Sequence, residues 1–432
     1  MQYNVIGNHF SCKKVVLPAS KSISNRALII NALSGKGVTP ENLSDCDDTF
    51  VMVRALKQVE SEIMNKESGI QDYTSSTESS DLPVIDIMAA GTAMRFLTAF
   101  LSVTEGTRVI TGTERMRHRP ISVLVDALRT LGAEIAYTGE EGFPPLRIMG
   151  RTLQGGEISL PGNVSSQYVS ALLMIGPRMK NGLRLKLTGD IVSRPYIDMT
   201  LGIMQEFGAE AAWTAGDMIT VEPVPYSPIP YYIENDWSAS SYWYEMAALT
   251  PGSTVTLPGL FEKSWQGDQA VKDIFVQMGV ETEFLPGNGG VELHHTGKRA
   301  ERLELDMVRQ PDLAQTVVVT CCMLEMPFRI TGLQSLKIKE TDRIYALITE
   351  LRKLGYVISE AEDSILYWNG EHCEPAAQPA IDTYEDHRMA MSFAPCAQVL
   401  KEIRINNPQV VSKSYPTFWK EFDRTENTKQ LN

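Results

Sequence analysis

Apolar residues recur at helical spacing in four segments that each close on a glycine and run on into a further apolar stretch. Arg119-Pro120 opens the first, which carries Leu124, Leu128 and Leu131 and ends Leu131-Gly132-Ala133-Glu134-Ile135. Arg194-Pro195 opens the second, with Ile203, Met204 and Phe207 before Gly208-Ala209-Glu210-Ala211. Trp265-Gln266-Gly267-Asp268 opens a third ending Met278-Gly279-Val280-Glu281, and Thr341-Asp342-Arg343 a fourth ending Leu354-Gly355-Tyr356-Val357. The spacing predicts amphipathic helices, and each closing glycine fits the left-handed position just past a helix end. A similar helix, through Val53, Leu56 and Val59, follows Asp47-Asp48-Thr49 without its glycine.

Gly132, Gly208, Gly279 and Gly355 lie 76, 71 and 76 residues apart. That period is too long for a common solenoid and suits a repeated supersecondary unit of helices and strands. β-branched stretches such as Thr107–Thr111 and Ser253–Pro258, bounded by Gly or Pro, read as the strands. The polar tract Asn65–Ser80 reads as a solvated loop and Thr425–Asn432 as a frayed tail. With 432 residues, two or three domains of roughly 100–200 residues each are expected.

The apolar fraction of 43% supports full cores. No apolar run reaches the ~18 residues of a membrane span, and Met1-Gln2-Tyr3-Asn4-Val5 has no signal-peptide character, so a cytoplasmic protein is expected. Cys12, Cys46, Cys321, Cys322, Cys373 and Cys396 lack C-x-x-C spacing and read as reduced thiols, with no disulfide frame and no metal site. The pair His294-His295 and His118 show no metal-ligand spacing either.

Charge narrows the partners. With 40 Lys+Arg against 53 Asp+Glu, formally −13, the chain lacks the broad positive field that nucleic acid or an anionic membrane requires. Its cations instead gather in short clusters beside hydroxyls, amides and glycines, a pattern suited to phosphates and carboxylates on small molecules. Lys21-Ser22-Ile23-Ser24-Asn25-Arg26 follows Pro18-Ala19-Ser20 at a loop-to-helix junction, where backbone N–H groups and the helix dipole favour an anion. It lacks the Walker A pattern, so a nucleotide is not implied. Ala90-Gly91-Thr92-Ala93-Met94-Arg95 repeats that logic, and Asn163-Val164-Ser165-Ser166-Gln167-Tyr168 offers neutral donors and acceptors suited to sugar-like hydroxyls. Lys337–Arg343 alternates in sign, as a solvated face does; Glu340 between Lys339 and Arg343 is also a carboxylate placed to handle a proton. Asp386-His387-Arg388 stands before an apolar helix.

In order, these clusters together with Ser193-Arg194-Pro195-Tyr196, Pro311-Asp312 and Ser412-Lys413-Ser414 resemble the 5-enolpyruvylshikimate-3-phosphate synthase family from Lys21 to Lys413. The resemblance implies an α/β fold, a two-domain inside-out α/β barrel. Each domain is three βαβαββ units with pseudo-threefold symmetry, and the active site lies in the interdomain cleft. It places 1–18 with 236–432 in one domain and 19–235 in the other. The reaction it implies moves the enolpyruvyl group of phosphoenolpyruvate to the 5-hydroxyl of shikimate 3-phosphate and releases phosphate through a tetrahedral intermediate. It needs no metal or organic cofactor, and the enzyme acts as a monomer.

Carried over by the same resemblance, Ser22, Arg26, Ser165, Ser166, Gln167, Ser193, Tyr196, Asp312 and Ser335 form the shikimate 3-phosphate site. Lys21, Gly91, Arg95, Arg119, Gln167, Arg343, Arg388 and Lys413 form the phosphoenolpyruvate site, with Lys21 and Lys339 near both ligands. Asp312 is the base on the 5-hydroxyl and Glu340 the proton donor to the methylene carbon; Lys21, Lys339 and His387 complete the catalytic set. A site lined by Lys21, Arg95, Arg119, Arg343, Arg388 and Lys413 is expected to repel itself when empty.

The chain departs from the commonest family pattern at Ala89, at Phe96, at Ser335 where Asn often stands, and at Arg194 where Lys is frequent. These changes bear on phosphate contacts and on the response to the inhibitor glyphosate. The related transferase acting on UDP-N-acetylglucosamine uses a Cys-bearing loop, and this chain has no Cys between Arg95 and Arg119. A purely ligand-binding relative has no need of Asp312 and Glu340.

Overall fold

One strand-pairing scheme recurs in all five sheets among the described residues: a parallel pair extended by antiparallel strands. The computed structural model describes residues 2–35, 38–67, 82–287 and 289–424. The tail Thr425–Asn432 therefore lies outside the described residues, as does most of the polar tract Asn65–Ser80; its first three residues close the helix Asp47–Glu67. The chain divides into two compact units, Met1–Ser20 with Glu234–Asn432, and Lys21–Ile233.

In the unit Lys21–Ile233, Val84–Asp86 runs parallel to Gly106–Thr111, which continues antiparallel to Leu146–Gly150 and then Glu134–Tyr137. Gly156–Pro161, Leu183–Thr188, Met218–Val221 and Ala211–Ala215 repeat the scheme. A parallel pair needs a crossover, supplied here by the helices Gly91–Val103 and Ser166–Ile175. With the second helices, Ser122–Thr130 and Arg194–Glu206, each copy reads βαβαββ. The third position is held by the helices Lys21–Leu33 and Asp47–Glu67, with a single parallel bridge between Glu41 and Tyr232.

The other unit builds the same scheme. Leu303–Asp306 and Phe328–Thr331 pair in parallel around the helix Ala314–Met323, and Ile365–Trp368 and Ser359–Ala361 complete that sheet. Cys12–Lys14 pairs in parallel with Thr254–Leu257, with the helix Trp237–Leu249 directly before the latter. Ala380–Ile381 and Glu402–Asn406 enclose the helix His387–Phe393, and Gln2–Ile6 closes that sheet.

Two kinds of helix result. The crossover helices are buried on nearly every face, as all ten residues of Ala314–Met323 are, because each lies among its two counterparts at the centre of its unit. Lys21–Leu33, Gly91–Val103 and Ser166–Ile175 pack together in one unit, and Trp237–Leu249, Ala314–Met323 and His387–Phe393 in the other. The second helices are the amphipathic ones visible in the sequence.

Gly132, Gly208 and Gly355 take φ of +103°, +85° and +102°. Each closes its helix by paired bonds: Ala133 N to Leu128 O and Gly132 N to Arg129 O, with counterparts at Ala209 and Gly208, and at Tyr356 and Gly355. Gly279 corrects the expectation. The third helix is short, Val271–Val276, and Gly279 lies inside the strand Met278–Phe284, its φ of +86° serving a register shift against Val291–Arg299. Glu325 makes the same paired closure after Ala314–Met323 with φ +53°, a helix end that no glycine marks.

Candidate active site

Part of the predicted set stands at the N-terminal ends of these central helices, where backbone N–H groups have no partner within the helix. Arg119, Ser335, Lys339, Glu340 and Lys413 come from loops and 3₁₀ turns, and Ser193, Tyr196 and Arg343 from the starts of the second helices. In the unit Lys21–Ile233, Lys21 and Ser22 begin one helix, Gly91 a second and Ser166 a third, with Ser165 as its N-cap accepting from Gln167 N. Gln167 Nε2 donates to Thr92 Oγ1 at 3.1 Å, tying two of these helix starts together. Lys21 Nζ lies 3.4 Å from Asp48 Oδ2, at the head of Asp47–Glu67.

Arg26 is buried, with 3% of its surface exposed. Its guanidinium donates to Thr200 Oγ1 (2.7 Å), Ser22 O (3.0 Å), Ser170 Oγ (3.1 Å) and Tyr196 O (3.3 Å), all neutral acceptors. Burial pulls its pKa down to about 10, the nearby Tyr196 acting in the opposite direction. A buried cation held by neutral oxygens carries a charge that a bound anion neutralises. Ser193 precedes Tyr196 with φ +54°, a left-handed turn ahead of Arg194–Glu206.

Arg95 and Arg119 converge on Gly91. A Cβ added at Gly91 would come within 2.7 Å of Arg119 Nη1 and 3.0 Å of Arg95 Nη1, so a side chain here would displace the ends of these guanidiniums. Arg95 Nη1 donates to Gly91 O at 2.9 Å. The side chain of Arg119 has no hydrogen bond or ion pair among the described residues.

The other unit gathers Asp312, Lys339, Glu340, Arg343, Arg388 and Lys413 into one network. Arg343 is its hub, 1% exposed. Nε donates to Asp386 Oδ2 (2.7 Å), Nη1 to Asp312 Oδ1 (3.0 Å), and Nη2 to Glu340 Oε2 (3.0 Å) and Asp386 Oδ1 (3.4 Å). Asp312 also meets Lys339 Nζ at 3.3 Å and Arg388 Nη2 at 3.1 Å. Glu340 Oε1 accepts from Lys413 Nζ at 2.8 Å. Arg388 Nη1 reaches Tyr242 Oη at 3.5 Å. His387 is buried, its Nδ1 3.8 Å from Asp386 Oδ1. Ser335 lies in the 3₁₀ turn Gln334–Ile338, and its side chain makes no hydrogen bond among the described residues.

The four cations of this cluster each hold a carboxylate, so the expectation that the empty site repels itself does not apply to them. For Asp312, burial opposes ionisation, but Arg388, Lys339 and Arg343 outweigh it and hold the carboxyl well below the usual range. For Glu340, burial is likewise overcome, here by Lys413, Arg343 and His387. Both carboxylates are ionised at neutral pH. Arg26 meets only neutral acceptors and Arg119 has no ion pair among the described residues, so the positive charge without a carboxylate beside it belongs to these two.

The sequence reading passed over Asp386 and Asp48 as site residues. Asp386 caps His387–Phe393 by accepting from Arg388 N (2.9 Å) and fixes two nitrogens of Arg343. Its place before His387-Arg388, as an Asp at a helix start, was the available signal. Ser170 and Thr200, which hold Arg26, carry no local signal, since both are mid-helix hydroxyls.

Among the described residues no group of three or more His, Cys, Asp or Glu side chains is placed to hold a metal ion, and no helix is long and apolar enough to cross a membrane. The sequence model of the family described as EPSP synthase (3-phosphoshikimate 1-carboxyvinyltransferase) matches residues 11–422. The 3-phosphoshikimate 1-carboxyvinyltransferase of Bacteroides fragilis is 58% identical over 405 residues, 94% of this chain and 93% of that protein. That of Shewanella pealeana is 38% identical over 413 residues, covering 94% and 95%. The structure of EPSP synthase from Acinetobacter baumannii superposes with a TM-score of 0.74 over 97% of each chain at 22% identity, a likeness of fold.

Proposed function

This chain belongs to the EPSP synthase (3-phosphoshikimate 1-carboxyvinyltransferase) family, and on that premise we propose how its own side chains carry out the enolpyruvyl transfer from phosphoenolpyruvate to shikimate 3-phosphate that it catalyses. The observation that carries the assignment is Arg343 holding Asp312 and Glu340 at once, 3.0 Å from each. Two carboxylates positioned by one rigid fork suit a reaction in which one proton leaves oxygen and another joins carbon.

Asp312 is ionised and takes the proton of the 5-hydroxyl as that oxygen bonds to C2 of phosphoenolpyruvate. Glu340 delivers a proton to the methylene carbon, which makes C2 electrophilic. The resting Glu340 is a carboxylate, so it must gain that proton first. The phosphate and carboxylate of phosphoenolpyruvate compete with Glu340 for Lys413 and Arg343, and that competition raises its proton affinity. In the second half Glu340 takes a methyl proton back, the C2–O bond to phosphate breaks, and the phosphate leaves with the proton held by Asp312.

Arg26, with Ser22, Ser165, Ser166, Gln167, Ser193 and Tyr196, is assigned to shikimate 3-phosphate, together with Ser335 and Lys339. Arg95 and Arg119 over Gly91, with Lys21, Gln167, Arg388 and Lys413, are assigned to phosphoenolpyruvate. His387 acts through its field on Glu340. Each compact unit is read as one domain, and turnover requires both, since each carries part of the set. The working form is read as a monomer. Phosphorylated metabolites as substrates, and six cysteines without a disulfide, support a cytoplasmic setting.

Phosphate release from phosphoenolpyruvate tests this reading. Shikimate 3-phosphate should trigger it and UDP-N-acetylglucosamine should not. Release without the first, or with the second in its place, would overturn the substrate assignment.

A further inference from the structure

Below the proposed site, the central helices of the unit Met1–Ser20 with Glu234–Asn432 carry two polar layers that the reaction does not use. Ser241, Thr316 and Ser392, one from each helix, form the first: Ser241 Oγ lies 3.2 Å from Thr316 Oγ1, and Thr316 Oγ1 3.4 Å from Ser392 Oγ. Four residues further along each chain segment stand Glu245, Thr320 and Cys396, the second layer. Four residues advance a helix by about 6 Å, so the carboxyl of Glu245 sits roughly two turns beyond the level of Asp312 and Arg388. Glu245, Thr320 and Cys396 are all fully buried.

Among the described residues Glu245 has no counter-charge. The titratable groups that face it are thiols, Cys321 on Ala314–Met323 and Cys396 at the end of Ala394–Cys396. Neither carboxyl oxygen makes a hydrogen bond of normal geometry, and the hydroxyl of Thr320 is donated to Thr316 O at 2.7 Å. Burial favours the uncharged acid, and its pKa is pushed well above the usual range, Thr320 opposing slightly. An uncharged carboxyl still has one donor and acceptor lone pairs to satisfy, and buried polar groups without protein partners are met by ordered water.

We propose that Glu245 binds internal water in a closed site between the three central helices, formed with Thr320 and Cys396. The water satisfies the carboxyl and extends the hydroxyl layer, so that polar contacts define how these helices register against one another. This role is positional, and Glu245 touches no substrate.

Three measurements on the full-length enzyme and its Glu245→Gln variant test it. A high-resolution crystal structure of the wild type should place a water within hydrogen-bond distance of a Glu245 oxygen. The infrared spectrum at neutral pH should contain a protonated-carboxyl band that is absent from Glu245→Gln. The melting temperature of the wild type relative to that variant should fall by a few degrees as pH rises from about 5, just above the ordinary carboxyl value of 4.5, toward about 8, because the unfolded chain has released a proton that the folded state still holds. A dry site, an unchanged infrared band, or parallel melting curves over that range would each overturn the proposal. Should Glu245→Gln not fold, the water density in the wild type still decides it.

Discussion

Asp312 and Glu340, 28 positions apart in the chain, are held by a single guanidinium, with Arg343 donating to each at 3.0 Å. A lysine presents a point charge and cannot hold these two and Asp386 together. Arg343→Lys should therefore lose turnover by two or more orders of magnitude, and Arg343→Met should lower stability by about 3–5 kcal/mol, since it strands buried carboxylates. Steady-state kinetics and denaturant unfolding check the two outcomes; a near-normal kcat in Arg343→Lys would refute the hub.

Asp312→Asn and Glu340→Gln should fold while kcat drops by about 10²–10⁴, the usual contribution of a positioned acid or base. Circular dichroism and phosphate-release rates read out both. Wild-type turnover in either variant would remove that residue from the chemistry.

Protonation of Glu340 on substrate binding is a thermodynamic prediction. Titration calorimetry of shikimate 3-phosphate with a non-reacting phosphoenolpyruvate analogue, in buffers of different ionisation heat, should report net proton uptake that Glu340→Gln loses. Uptake unchanged in that variant would assign the proton elsewhere. In the ligand-free protein the sign is opposite. Asp312 and Glu340 are held below their ordinary values of 3.8 and 4.5, so their stabilisation is present above those values and is lost as pH falls toward the depressed ones. Wild type should lose more melting temperature than Asp312→Asn between about pH 5 and about pH 3.

Arg26 serves four neutral acceptors from the centre of its unit. Arg26→Lys should raise the KM for shikimate 3-phosphate by about tenfold to a hundredfold, the loss of one charge-assisted bond of roughly 1.5–3 kcal/mol. The KM for phosphoenolpyruvate should change far less, and equal change in both would count against the division of the site.

Gly355→Ala should lower stability by about 1–2 kcal/mol through the left-handed φ of +102°. The added Cβ would also press on Cys373 O at 3.2 Å. Its kcat should be unchanged, and a thermal melt beside an activity assay separates the two effects.

The repeat was legible because its signals are local. Apolar spacing in Ser122–Thr130, Arg194–Glu206 and Arg343–Lys353 and the glycine after each depend only on neighbours a few residues away. The same rule misread Gly279, where a left-handed glycine serves a strand, and missed Glu325, where a helix closes without one. Side chains with unusual charge density, from Lys21 to Lys413, were also legible, because cations beside helix starts are rare enough to stand out.

What remained hidden was which charges meet. By itself the sequence determined the amphipathic helices that end in Gly132, Gly208 and Gly355, the acidic background and the short list of cations and carboxylates. Only the tertiary structure decided that Arg343 bridges Asp312, Glu340 and Asp386, that Arg26 rests on Ser170 and Thr200 more than a hundred positions away, and that Glu245 is sealed from solvent. Ionisation and hydrogen bonding depend on burial and on partners brought from distant segments, and those follow from how the central helices pack.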